Sequence, residues 1–341
     1  RLPLAQAARE EGYEVHVATS PGKGSKRITD LGFKHYSLPL SRSGTKPWME
    51  FYSFWALWQL VRGLKPDLVH LVTIKPVLYG GVVARLTGVP AVVVAISGLG
   101  SVFVTRSGAS FWFRRGIEIL YRVALGHPNL KAIFQNPNDQ ALLIDLKALQ
   151  EKQTVLIRGS GVALSEYQVK PEPTGLPVVT FASRLLKDKG VIEFVESARI
   201  LKDLGVVADF WLVGAPDPGN PTSVNEEEIE LWEQTGLIKP LGYRTDIADV
   251  FARTNLVVLP SYYGEGLPKV LIEAAATGRA VITTDQPGCR DAIEPNVTGL
   301  LVPIKDTNAL VNAIERLIGD DNMRQSMGRA GRKLAEREFS I

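Results

Sequence analysis

Residues 256–285 read LVVLPSYYGEGLPKVLIEAAATGRAVITTD, and this stretch decides the fold. Leu256 to Leu259 has the length and bounding of a buried strand, and the run breaks at Pro260 into a loop holding Gly264 and Gly266. Leu267, Val270, Leu271, Ala274 and Ala275 recur at the spacing of one helical face, with Pro268 suited to the first turn and Gly278 to the stop. Ala280 to Thr284 returns to strand. The loop of such a unit turns free backbone N–H groups and the positive end of a helix toward an anion, and a phosphate is the expected one. Glu265 in the loop and Glu273 in the helix frame it. Counted at the helical rise, eight residues set them roughly 12 Å apart along the axis and about 80° around it. That is too far to share a proton or a metal, but it suits the two ends of an extended ligand.

Glu265, seven residues and Glu273, inside EGLPKVLIEAAATGRAVI, resemble the E-x7-E signature of family four glycosyltransferases. The resemblance implies a retaining enzyme of GT-B fold, with two Rossmann-like, doubly wound α/β domains facing a cleft. It also implies a first strand preceding this sequence and a last helix cut short. In that family the second Glu binds the donor ribose and the first lies beside the donor sugar. Those roles fall on Glu273 and Glu265, with Gly264, Gly266 and Leu267 lining the donor.

At 341 residues the chain is long enough for two domains, each with its own core. A single cysteine, Cys289, excludes an intrachain disulfide and a Cys-based metal cluster, and points to a reducing cytoplasm. The four histidines show no zinc spacing, and the apolar stretch from Pro90 to Val104 is short for a membrane span. No signal peptide is recognisable. Residues 1–170 carry 21 Lys/Arg against 11 Asp/Glu, whereas the remainder carries 18 against 25. The basic half calls for an acidic partner, and with no nucleic-acid motif present an anionic membrane surface is the expected one.

The chain opens on a helical pattern and passes to a strand at Tyr13 to Thr19. Ser41 to Gly63 then brings together Trp48, Phe51, Tyr52, Phe54, Trp55 and Trp58 with Arg42, Lys46 and Arg62. Aromatics at helical spacing most often pack on a core, while the same rings beside bases also suit a membrane interface. SFWFRRG, from Ser110 through Phe111, Trp112, Phe113, Arg114 and Arg115 to Gly116, repeats that chemistry. Strands at Asp67 to Thr73 and Ala91 to Ile96 flank Lys75-Pro76 and a small-residue helix start at Tyr79-Gly80-Gly81. HLVTIKPVLYGGVVARLTGVP, and ISGLGSVF after the next strand, are similar to family members acting on polyprenyl-diphosphate-linked acceptors in N-glycan, O-antigen or capsule assembly. This resemblance puts Lys75, Ser97 and Gly98 on the acceptor side. Many relatives carry His or Arg where Ser97 stands. Ala132 to Gln135 reads as a strand, Asn136-Pro137-Asn138-Asp139 as a helix cap, and Thr154 to Ile157 as a closing strand.

The first domain accordingly spans residues 1–167. QVKPEPTGLP, residues 168–177, has linker composition, and the second domain follows over 178–341, opening with a strand at Val178 to Ala182. SRLLKDKG, from Ser183 to Gly190, sits at the carboxyl end of that strand and resembles the family's basic diphosphate-binding segment, which makes Arg184 and Lys189 catalytic with Glu265. A strand at Asp209 to Val213 ends on Gly214, and GYRTDI, with Tyr243, Arg244 and Asp246, resembles the segment beside the nucleobase; as residues alone it reads equally as a strand-to-helix loop. Asn308 to Ile318 and Met323 to Phe339 read as helices.

The reading that follows is a hexosyl- or N-acetylhexosaminyltransferase using a nucleotide-diphosphate sugar, UDP-linked by expectation. Its acceptor is a glycan or a lipid-linked glycan at the inner face of the membrane. The nucleotide-sugar is a substrate, so no cofactor is expected. With no Asp-x-Asp in the sequence, Arg184, Lys189 and loop N–H groups are assigned a metal's electrostatic work. The alternatives are a non-catalytic nucleotide-binding interaction protein and a GT-B sugar-nucleotide epimerase. A dinucleotide dehydrogenase is disfavoured, because no G-x-G-x-x-G follows a strand.

Overall fold

The computed structural model describes residues 2–22, 24–40, 47–99 and 111–341. Arg42, Lys46, Gly100, Ser101, Val102, Phe103 and Ser110, with the side chains of Phe111, Trp112, Phe113 and Arg114, lie outside the described residues. The chain groups into two compact units, one drawn from residues 1–96, 109–133 and 142–155, the other from residues 97–108, 134–141 and 156–341.

In the first unit β1 (His16–Thr19) and β2 (Lys34–Ser37) pair in parallel. A four-stranded sheet follows in the order β3 (Leu68–Val72), β4 (Ala91–Ile96), β5 (Leu130–Phe134), β6 (Thr154–Leu156). The helix Ile74–Thr87 packs on β3 and β4. It starts before the position that Tyr79-Gly80-Gly81 indicates, and both glycines are buried in its middle. A Cβ on Gly81 would stand 2.2 Å from the Ala124 carbonyl oxygen on the helix Phe111–Leu125, so the glycine is there for close helix contact rather than for a start.

The aromatic helix is Pro47–Leu64. Ser53, Leu57 and Val61 form its buried face, whereas Trp48 is 71% exposed, Phe51 69%, Tyr52 60% and Trp55 44%. A core role for these rings is therefore overturned. The inward face is set by the 53, 57, 61 spacing and by Glu50, which bonds Lys75 at 2.7 Å and Tyr79 at 2.5 Å. This turns positions 48, 51, 52 and 55 outward.

The second unit holds a six-stranded parallel sheet in the order β12 (Gly299–Val302), β11 (Ala280–Thr284), β10 (Leu256–Leu259), β7 (Val178–Ala182), β8 (Asp209–Val213), β9 (Lys239–Gly242). The fully buried runs VVTFA, LVVL and AVITT make its centre, as expected of strands covered on both faces. The chain starts at β7, runs outward to β9, then returns to pair β10 on the other flank of β7, with Leu256 opposite Val179. Strand order thus reverses between β7 and β10, and their carboxyl ends border the crevice where sheets of this kind take ligands. Strands β2, β9 and β12 carry no sequence signal of comparable strength.

The proline-bearing segment 168–177 is held against this unit. Glu172 accepts from Arg324 at 2.7 Å, Arg279 donates to the Pro171 carbonyl at 3.3 Å, and Asn255 donates to that of Pro173 at 3.1 Å. Toward the carboxyl end come the helices Thr307–Gly319 and Asp321–Leu334, the second widening into a π-helical turn at Ala335–Phe339.

Candidate active site

Two loops meet at the crevice, one after β7 and one after β10. Gly190, at φ 79°, ends the first: a Cβ there would lie 2.3 Å from the Pro260 carbonyl oxygen, so the loops touch through backbone that no other residue allows unstrained. Gly214 does the same at the end of β8, where a Cβ would stand 1.8 Å from the Ser183 carbonyl oxygen. Its part is to seat the Ser183 loop. The Asp188 carbonyl accepts from the amides of Tyr262 at 2.9 Å and Tyr263 at 3.0 Å, and the Glu265 amide turns back to the Tyr263 carbonyl at 2.8 Å. The expectation of a loop with free N–H groups is narrowed accordingly: two amides lace it to its neighbour and a third closes within the loop itself.

This lacing brings Lys189 onto Glu265 as an ion pair, with the lysine 7% exposed and its ammonium 5.0 Å from the centre of the Tyr263 ring. Burial pushes Lys189 down to about 8, and the nearby Arg184 charge adds to that. Cys289 and Asp188 act in the opposite sense, and desolvation outweighs them. Arg184 itself is half-exposed and bonds Asp217 at 2.9 Å. Ser261, fully buried, holds its hydroxyl 3.4 Å from a Glu265 carboxylate oxygen.

Glu273 stands elsewhere in the site. The helix begins at Lys269, so Glu265 precedes it and the separation counted at helical rise does not apply. Glu273 is buried, its Oε1 accepting from the Tyr167 hydroxyl at 2.6 Å with the Lys269 ammonium at 3.3 Å. Burial, then this bond, pushes the Tyr167 phenol up. Arg332 braces Tyr167 through its carbonyl at 2.6 Å. Tyr167 was not singled out from the sequence, since nothing local marks a partner 106 residues from the glutamate.

Among the other expected donor residues, Tyr243 is 77% exposed, and the Arg244 guanidinium is paired with Asp246 at 2.8 Å. Asp246 occupies the cap position of the helix Ile247–Ala252 but makes no side-chain cap bond. Leu267 points into the core, leaving only its backbone for a ligand. Of the acceptor-side residues, Lys75 is paired with Glu50 in the first unit. Ser97 and Gly98 lie against the Glu265 loop in the second: a Cβ on Gly98, at φ 106°, would meet the Gly264 carbonyl oxygen at 2.6 Å.

A family model described as glycosyl transferases group 1 matches residues 165–334, and one described as glycosyl transferase 4-like matches residues 1–130. The N,N'-diacetylbacillosaminyl-diphospho-undecaprenol alpha-1,3-N-acetylgalactosaminyltransferase of Campylobacter jejuni is 28% identical, over 96% of this chain and 88% of its own. Two solved structures share the fold. Sucrose-phosphate synthase from Thermosynechococcus elongatus superposes with a TM-score of 0.79 at 23% identity, covering 99% of this chain and 88% of its own. Anabaena Alr3699/HepE in complex with UDP gives 0.76 at 18% identity, covering 99% and 92%.

Proposed function

The chain belongs to the group 1 glycosyltransferases and has the GT-B fold, and from that premise we propose that it is a retaining transferase. In this reading it moves a hexosyl or N-acetylhexosaminyl group from a UDP-sugar to a polyprenyl-diphosphate-linked glycan. The acceptor class follows the Campylobacter relative, and the nucleotide follows the UDP bound to the Anabaena protein. The single observation that carries the reading is the buried Lys189–Glu265 pair across the two loops where strand order reverses, with Arg184 alongside.

The bond from the sugar's anomeric carbon to the diphosphate oxygen breaks as the acceptor hydroxyl bonds that carbon on the same face, and the hydroxyl proton leaves on the departing diphosphate. Lys189 and Arg184 neutralise the charge growing on the leaving group. Glu265 lies beside the sugar, and Glu273, steadied by Tyr167 and Lys269, takes the ribose diol. The two cations do the work of a divalent ion, so the reaction proceeds without metal. The exposed Trp48, Phe51, Tyr52 and Trp55 belong against an anionic membrane surface, where a polyprenyl acceptor is presented.

The experiment is transfer from several nucleotide-sugars to short polyprenyl-diphosphate glycans, with and without EDTA, read by mass spectrometry and by the anomeric configuration of the product. Retained, EDTA-resistant transfer from a UDP-sugar is expected. Interconversion of sugar-nucleotides without acceptor would establish an epimerase instead, and nucleotide binding without turnover a non-catalytic protein.

A further inference from the structure

We infer that Asn136 is a positioning residue for the loop that carries Glu265, and that turnover depends on its side-chain amide holding that loop. Asn136 is fully buried ahead of the helix Pro137–Asp145. Its Oδ1 accepts from the Asp139 amide at 2.8 Å, an ordinary helix cap that Ser, Thr or Asp would supply as well. What those residues lack is the amide nitrogen. Nδ2 donates to the Gly266 carbonyl at 3.0 Å, to the Glu265 carbonyl at 3.3 Å and to the Asp139 carboxylate at 2.9 Å. Turning the amide over would set its oxygen against three acceptor oxygens, so the partners themselves fix the orientation.

The loop has little other freedom. A Cβ on Gly266 would come within 2.3 Å of Gln135 Oε1 and 2.6 Å of the Ser97 carbonyl carbon. One on Gly288 would come within 2.5 Å of the Gly266 carbonyl oxygen. Backbone therefore closes on the loop from several sides. Among the described residues Asn136 is the one whose side chain hydrogen-bonds the carbonyls of Glu265 and Gly266. Asp139 in turn braces Asn136 and accepts from the Leu99 amide, which ties the segment after β4 into the same network.

The inference rests on the reading that Glu265 works beside the donor sugar. If so, loosening its backbone displaces the carboxylate, and a shift of about 1 Å is worth on the order of a hundredfold in rate. The grip on the donor is lodged mainly on Glu273 and Arg184, in other segments, and is changed little. Asn136→Ser and Asn136→Asp both keep the cap, and Asp is as good a cap as Asn, but Asp puts an acceptor in front of two carbonyls.

Steady-state kinetics on the full chain should show kcat reduced roughly 10-fold to 100-fold in Asn136→Ser and further in Asn136→Asp, with donor KM within about threefold of wild type. A cap alone would leave Asn136→Ser unimpaired. The inference is overturned if both variants keep kcat within about threefold, or if the loss falls on KM. Should Asn136→Asp fail to fold, Asn136→Ser decides by the same criterion. Glu265→Gln is measured in parallel. Its inactivity beside an active Asn136→Ser removes only the positioning role, whereas full activity of Glu265→Gln removes the donor-site reading and this inference with it.

Discussion

Lys189 tests the site most directly, because stability and turnover should respond to its titration in opposite directions. Depression of the lysine from 10.5 to about 8 means that the folded chain carries a buried ammonium at a cost of about 3 kcal/mol. Below pH 8 folded and unfolded chains are both charged and that cost is borne in full. Between about 8 and 10.5 the folded site gives up its proton first, so this group makes stability rise with pH across the window. Turnover should do the reverse, kcat/KM falling about tenfold per unit above pH 8 as the charge facing the diphosphate is lost. Lys189→Met strands the Glu265 carboxylate and should cost on the order of 3 to 5 kcal/mol of stability, with turnover down by about 2 to 4 kcal/mol. Adding Glu265→Gln should return most of the stability and none of the turnover. Lys189→Arg, charged at every accessible pH, should lose the alkaline limb. Denaturant melts and pH–rate profiles read both quantities. A kcat/KM that stays level to about pH 9.5 in the wild type, or an unchanged alkaline limb in Lys189→Arg, refutes the reasoning.

Glu273→Gln should raise donor KM more than it lowers kcat, since ribose binding is nearly uniform between ground and transition states; Tyr167→Phe should do the same more weakly, by about 1 kcal/mol, and a kcat-only effect contradicts the assignment. Changing Trp48, Phe51 and Trp55 together to Ser should release the protein from anionic vesicles in co-sedimentation. High salt should weaken the wild type's binding, each base near the surface counting for about 1 kcal/mol at low salt. Equal sedimentation of the two proteins removes the membrane role.

The central strands of the second unit were legible because β7, β10 and β11 are buried on both faces and their apolar runs say so unaided. The edges were not. β9 is KPLG and β12 is GLLV, where Pro or Gly dilutes any strand signal and half the neighbours are missing. Lys189 and Glu265 were each readable from motifs, but their direct contact depends on the Gly190–Pro260 approach, which spacing does not encode. Asn136 announced itself as a cap and hid its second role, since its partners lie 129 and 130 residues away. The aromatic helix stayed open between core and surface for another reason. Periodicity finds a face without saying which way it turns, and the decision fell to Glu50 bonding Lys75 and Tyr79.

The strand order also has a history in time. During synthesis β7, β8 and β9 emerge first, and one edge of VVTFA stays unpaired until β10 arrives, with 73 residues lying between Ala182 and Leu256. At ribosomal speed that edge waits roughly 4 to 15 s, a long exposure for an uncharged template. A nascent chain halted just before Leu256 should bind chaperone or aggregate, and one released after Thr284 should not; equal behaviour of the two would show that something else shields β7. The neighbours that form the crevice meet only after β8 and β9 are made, so seconds on the ribosome should bear on the yield of this protein as well as the stability of what finally folds.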